Sequence, residues 1–194
     1  MGEIRTPLPV KLFVGVLTSI PSLIPDVEKR LQALFGSADL RSNLFPFDQT
    51  HYYDEQMGSP IYRQFISFSA LIGPSEIAGI KVKTNNLESN FTFESNNMRR
   101  RVNLDPGYLE QSKIVLASTK NFFHRILISD GIYGEVTLHY QGKKWHNFSW
   151  TFPDYKSERY QEYFSSVRDL YRKQLSAAGF PIRKRGKNSE TMAG

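Results

Sequence analysis

Arg99-Arg100-Arg101-Val102-Asn103-Leu104-Asp105-Pro106-Gly107-Tyr108 is the stretch whose reading settles the architecture. Taken as a strand, it alternates: Arg101, Asn103 and Asp105 fall on one face, Val102 and Leu104 on the other. A cation, an amide and a carboxylate in a row are poor core material, because each needs a hydrogen-bond partner once buried. The polar face is therefore a wet surface or a polar site. Asp105-Pro106-Gly107 also reads as ordinary turn chemistry, which would end the strand there.

Five elements precede this one. Lys11 to Leu17 is a short apolar run without a signal-peptide layout and reads as a buried strand. A helix follows, with Pro25 in its first turn, Asp26 and Glu28 at its positive end, and an apolar stripe of Ile24, Val27, Leu31, Leu34 and Phe35. Gly36 stops it. Asn43 to Asp48 reads as a second strand and Tyr62 to Leu71 as a third. Gly73-Pro74-Ser75-Glu76 starts a second helix with Ile77, Ile80, Thr84, Leu87 and Phe91 inward. Strand, helix, strand, strand, helix, strand is the order of a split βαβ, or ferredoxin-like, unit.

Beyond it the chain continues as antiparallel β structure. Lys113 to Thr119, Arg125 to Ile128, Ile132 to Tyr140 and Trp145 to Trp150 read as strands, with Asp130-Gly131 a strong hairpin signal. A last helix over Ser157 to Ala178 carries Tyr160, Tyr163, Phe164, Val167, Leu170, Tyr171 and Leu175 on one side. The expectation is an α+β protein: a ferredoxin-like (βαββαβ) first half extended by antiparallel β-hairpins, with the C-terminal helix packed on the sheet. Residues 1–182 form a single α+β domain, and 183–194 a basic disordered tail.

Composition narrows the class. An apolar share of 40%, with 14 Phe and 10 Tyr in 194 residues, predicts an aromatic core. Zero cysteines exclude disulfides and thiolate metal sites and point to a cytoplasmic location. No run approaches the roughly 20 apolar residues needed to cross a bilayer. Half of the net charge of +6 lies in the tail, where Arg183, Lys184, Arg185 and Lys187 outnumber Glu190, so the remainder is too mildly basic to argue for nucleic acid by electrostatics.

The easily recognised enzyme motifs are absent: no phosphate-cradling P-loop, no dinucleotide-binding glycine triplet, no zincin helix, no nucleophile elbow, no calcium loop. His139 and His146 would face one another across a hairpin turning at Gly142-Lys143, but two ligands do not make a metal site. What stands out is a mixture of charges on strands and strand-linking loops: Asp48, Thr50, Tyr53, Arg101, Asn103, Asp105, Lys120, His124, Arg125 and Glu135. Arg and Lys neutralise phosphate oxygens, while Asp and Glu hold a divalent metal such as magnesium. The same set would also make a structural salt-bridge network.

Several of these segments are unusual words occurring in a fixed order. They are Phe45-Pro46-Phe47-Asp48-Gln49-Thr50-His51-Tyr52-Tyr53, Glu55-Gln56-Met57-Gly58, Lys83-Thr84-Asn85-Asn86-Leu87-Glu88, Arg100 to Leu109, His124-Arg125, and Trp150-Thr151-Phe152-Pro153-Asp154-Tyr155. Over roughly 8 to 173 the chain thereby resembles a bacterial family catalogued as domain of unknown function 4416. Proteins similar to it are sometimes labelled GTP-binding, but the P-loop and the Asn-Lys-x-Asp word of a classical GTPase are missing here. The resemblance implies no specific reaction.

The sequence thus leads to a cytosolic protein binding a phosphorylated or nucleotide ligand in a polar cleft, with a metal-assisted hydrolase or transferase as the first choice of reaction. In that reading Arg101, Lys120 and Arg125 hold phosphate, with Asp48, Thr50, Tyr53 and Asn103 also in the ligand site. Asp48, Asp105 and Glu135 bind metal, and His124, Glu135 and Asp105 are the catalytic candidates. The alternative is a non-catalytic RNA- or protein-binding adaptor, stacking bases on Tyr52, Tyr53, Tyr133 and Trp145.

Overall fold

The computed structural model describes residues 2–49, 54–91 and 100–182, with Asp54 and Glu55 described by backbone alone. The tail 183–194 lies outside the described residues. The strands are β1 (Val10–Thr18), β2 (Ala38–Arg41), β3 (Phe45–Pro46), β4 (Tyr62–Ile72), β5 (Val102–Leu109), β6 (Lys113–Ser118), β7 (Ile126–Ser129), β8 (Ile132–Gln141) and β9 (Lys144–Asn147). The helices are α1 (Ile24–Phe35), α2 (Asp54–Met57), α3 (Ile77–Ser89) and α4 (Glu158–Ala177), the last preceded by a 3-10 turn at Pro153–Lys156.

All pairings are antiparallel, in the order β2-β4-β1-β5-β6-β8-β7, with β3 added to β4 and β9 to β8. The first four strands of that path have the ferredoxin-like order, and the hairpins of β6 to β9 extend the sheet beyond β5. One expected strand is displaced. Gly36, at φ +87°, ends α1 and the chain enters β2 at Ala38 at once, while Asn43 to Asp48 contributes only the two-residue β3.

Both faces of the sheet are covered, which is why every residue of β1 is buried. On one face Leu12, Val14, Val16, Ile66, Phe68, Val102 and Leu104 pack against Ile24, Val27 and Leu31 of α1 and Ile77, Ile80 and Leu87 of α3. On the other, Phe13, Phe65, Leu109, Ile114, Leu116 and Leu138 meet Tyr160, Tyr163, Phe164, Val167, Tyr171 and Leu175 of α4. Phe65 is the hub of this aromatic layer, edge-on to Tyr160 at 4.8 Å and stacked on Tyr163 at 5.5 Å. Leu34 of the expected α1 stripe is exposed instead. No helix among the described residues is long and apolar enough to cross a membrane.

The decisive local feature is Pro106. Asp105-Pro106-Gly107 is no turn; it runs through the middle of β5. Along β1 the register is unbroken from Lys11↔Leu109 to Thr18↔Val102, Pro106 opposing Val14. On the other side, β5 pairs with β6 only over Gly107↔Leu116, Tyr108↔Val115 and Leu109↔Ile114. Proline has no N–H to give to a ladder. Beyond it the two strands part, and the sheet opens between Val102–Pro106 and Ala117–Ser118.

Gly107 stands at the fork. A Cβ there would lie 2.6 Å from the carbonyl oxygen of Val115, 2.6 Å from the Phe13 ring and 2.8 Å from Leu116. The Val115 contact is backbone, so it cannot be relieved by a rotamer change. Gly107→Ala is expected to wedge β5 and β6 apart and to lower stability by about 1–3 kcal/mol or more, read as a fall in urea midpoint.

Candidate functional site

The fork is the mouth of a cavity of about 800 Å³. One wall is β5, which supplies Asn103 and Asp105, with Arg100 just ahead of it. The opposite wall is the end of β6 and the loop after it, with Ser118, Lys120 and Arg125, backed by Glu135 from β8. Helix α3 presents Lys81, Asn85 and Glu88 at i, i+4 and i+7, one stripe of its surface. Phe47, Gln49 and Gln56 come from the segments around β3 and α2. The 3-10 turn before α4 adds Phe152 to Tyr155.

A buried cation, Arg63 of β4, stands among these groups, 4% exposed. Its guanidinium lies over Gly15, where a Cβ would stand 2.6 Å from Nη1. Nη1 donates to Asp105 Oδ2 at 3.0 Å, and Nη2 lies 3.6 Å from Asp154 Oδ2. The Phe47 and Phe65 rings flank it at 5.3 and 5.6 Å. Burial works against the Arg63 cation, but Asp105, with smaller pulls from Tyr155 and Asp154, outweighs it and the pKa rises.

The two carboxylates beside this guanidinium are driven in opposite directions. Burial pushes both up. For Asp105, Arg63, Lys81 and the nearby Asn103 amide outweigh burial and leave the carboxyl below its usual range. For Asp154, burial prevails over Arg63, and repulsion from Asp105 adds to it, so the carboxyl sits above its usual range. Asp154 Oδ2 has no hydrogen-bond partner, nor have Arg63 Nε, Asn103 Nδ2 and the Tyr155 hydroxyl, all buried and all on residues lining the cavity.

Two further ion clusters face the space. Glu88 binds Arg100 and accepts the Leu104 N–H at 2.7 Å, while Lys81 donates to the Leu104 carbonyl at 2.7 Å. Burial raises Glu88 in spite of Lys81 and Arg100. In the second cluster Glu135 Oε2 accepts from Arg125 Nε at 2.7 Å and lies 3.0 Å from His124 Nε2, and Oε1 accepts from Thr137 at 3.2 Å. Arg125 also donates to Ser118 at 3.0 Å and to the Lys120 carbonyl at 2.9 Å. His124 stacks on Trp150, ring centroids 5.3 Å apart.

Asn103, Asp105, Lys120, Arg125 and Glu135 of the expected site therefore line one space. The other candidates divide. Asp48 is exposed, 3.7 Å from Arg159, and is not part of the lining; its neighbour Gln49 is. Arg101 precedes the first residue of β5, so strand alternation does not carry it inward; Arg100 lines the cavity instead. His124 stands behind Glu135 rather than in the lining. Thr50 and Tyr53 lie outside the described residues.

The expected metal set of Asp48, Asp105 and Glu135 does not assemble. Asp48 is apart, Asp105 is bound to Arg63, and Glu135 is engaged by Arg125, His124 and Thr137. Among the described residues no three His, Asp or Glu side chains are grouped to share a metal ion. His139 and His146 do face each other as the hairpin register requires, stacked at 5.0 Å.

The cavity also holds residues outside the named site candidates: Arg63, Lys81, Glu88, Arg100 and Asp154. Their signal was present as polarity out of place. Arg63 interrupts an apolar alternating strand, and Lys81 and Glu88 share the buried side of α3 with Ile77 and Thr84. Each of the six words quoted above contributes a lining residue: Phe47, Gln56, Asn85, Asp105, Arg125 and Asp154.

A family model described as domain of unknown function (DUF4416) matches residues 8–171. The chain belongs to this family. The DUF4416 match spans both the ferredoxin-like half and the hairpins, and so both walls of the cavity. No curated protein and no solved structure matches the chain.

The buried triad gives a testable linkage. Asp105, with its pKa lowered on folding, contributes stability above the ordinary carboxyl range that is lost as pH falls through the lowered value. Asp154 and Glu88, raised on folding, have the opposite sign: their contribution is present when protonated and lost as pH rises through the raised value. Arg63→Met leaves Asp105 and Asp154 facing each other without their cation. It is expected to cost about 3–5 kcal/mol at pH 7 in urea denaturation. The gap to the parent protein narrows on acidification toward pH 4–5, because both carboxyls then bind protons in the folded variant.

Proposed function

We propose that this DUF4416 protein binds a phosphorylated small molecule of nucleotide size in the cavity between β5 and β6. The observation that carries the reading is the meeting of Arg63, Lys81, Arg100, Lys120 and Arg125 around a space of about 800 Å³, with apolar surface from Phe47, Leu116 and Phe152 between them. That volume is within the range of small-molecule sites, which combine apolar walls with a few placed polar groups. Arg and Lys donors at the mouth suit phosphate oxygens, and the apolar walls suit a ring. A cytoplasmic location accords with the absence of cysteine.

Binding is the part of the reading that the arrangement supports; for a metal-assisted reaction, Asp48, Asp105 and Glu135 are not grouped around one position. The RNA-binding alternative is less favoured, because Trp145, one of its stacking candidates, is 5% exposed and packed in the aromatic layer.

Calorimetric titration with nucleoside monophosphates and triphosphates tests the reading. Saturable one-to-one binding is expected. Lys120→Ala, at an exposed position, should weaken it by about 10-fold, in keeping with loss of one charge-assisted hydrogen bond, while leaving the urea midpoint unchanged. The absence of binding by every probe, or affinities unaltered by Lys120→Ala and Arg100→Ala together, would overturn it.

A further inference from the structure

We infer that the cavity has two ends of opposite character, an anion-seeking mouth and a donor-seeking floor at Asp154, so that its ligand carries an amino group on a ring at the end opposite its phosphate. This rests on the reading of the site as a phosphorylated-ligand cavity and narrows it to amino-bearing nucleotides.

Exposure separates the outermost cations from the most deeply buried groups. Lys120 is exposed and the Arg100 side chain is 32% exposed, whereas the side chains of Arg63 and Asp154 are each 5% exposed. Among the charged groups of the lining that are less than 10% exposed, acids exceed cations: Glu88, Glu135 and Asp154 against Lys81 and Arg63. Asp154 shares the guanidinium of Arg63 with Asp105, whose side chain is 26% exposed. That cation is committed unequally. It hydrogen-bonds Asp105 at 3.0 Å and stops at 3.6 Å from Asp154, beyond hydrogen-bond reach.

Asp154 Oδ2 is thus a buried carboxylate oxygen with no hydrogen bond. Buried acceptors in this position are costly unless a donor meets them, and unpartnered ones in native folds call for an explanation. Burial raises the Asp154 carboxyl while Asp105 is lowered, so of the two it is Asp154 that gains from an additional donor. The Tyr155 hydroxyl, also unpartnered, lies on the same lining and supplies a hydrogen-bonding group beside it. The flanking surfaces are Phe47, Leu116, Phe152 and Tyr155, flat and apolar as a heterocycle requires. An exocyclic amine donates and accepts nothing in return; a carboxylate accepts and donates nothing. The two are complementary, and a site built on such a contact discriminates strongly against an analogue lacking the donor.

The experiment compares each amino nucleotide with its amino-free counterpart: AMP and GMP with IMP, and CMP with UMP. Ribose 5-phosphate serves as the base-free probe. All are titrated calorimetrically into the full chain. At least one amino nucleotide is expected to bind 10-fold or more tightly than its counterpart and than ribose 5-phosphate. Asp154→Asn should erase that difference, whereas Lys120→Ala should weaken amino and amino-free nucleotides alike.

The nucleotide comparison needs no variant, so it stands even if Asp154→Asn does not fold. Equal affinities within every pair, or a preference that survives Asp154→Asn, would overturn the donor-seeking floor and leave a phosphate site intact. Failure of every probe to bind would overturn the phosphorylated-ligand reading itself and the floor with it.

Discussion

A guanidinium lying across the middle of a sheet constrains nearly everything around it. Arg63 belongs to β4, rests over Gly15 of β1, binds Asp105 of β5 and approaches Asp154 in the turn before α4. Four separate stretches of chain are therefore registered on one side chain. A buried cation is tolerated only where acids and rings repay its desolvation, and here two carboxylates and two aromatic faces do so. A Cβ on the residue beneath would stand 2.6 Å from Nη1, so any larger residue there would push the guanidinium from its seat. The aromatic layer of α4 closes over the same region through Tyr155 and Tyr160, so the packing of the C-terminal helix and the polarity of the cavity are one problem solved together.

The second constraint is a missing hydrogen. A proline within β5 keeps its place against β1 yet gives β6 nothing to hold, and the ladder to β6 is three pairs long. The sheet is continuous at one end of that ladder and divided at the other. Polar residues that would be intolerable inside an unbroken sheet acquire a space to line, reached from both the α3 side and the α4 side. Glu88 and Lys81 approach it from one layer, Asp154 and Tyr155 from the other.

Much of this was legible in the chain. Period-2 and period-3.6 patterns located β1, β4, α1, α3 and α4, and Asp130-Gly131 and Gly142-Lys143 turned where positive φ was needed. The alternation of Asn103 and Asp105 against Val102 and Leu104 held. The failures have physical causes. Asp105-Pro106-Gly107 carries turn residues, and only the neighbouring strands decide that it stays extended. Arg101 was assigned a face by alternation in a stretch where no strand yet runs. Glu135 and His124 are joined in the fold, where Glu135 also holds Arg125 and Thr137. The pairing of Arg63 with Asp154 has no local signal, because each is a single charge among apolar and aromatic residues and they stand 91 positions apart in the chain.

The short ladder between Gly107–Leu109 and Ile114–Leu116 has an architectural meaning of its own. It works like a zip halted part-way: where the slider stops determines how wide the gap above it stands. The scaffold on one side is the widely reused four-stranded unit, and the hairpins on the other are joined to it along the sheet by this seam alone. Changes of side chain along Ser118 to Arg125 would then reshape one jaw of the aperture while the other, pinned by its arginine, stayed in place. Diversification of ligand choice within such a scaffold needs no redesign of its interior.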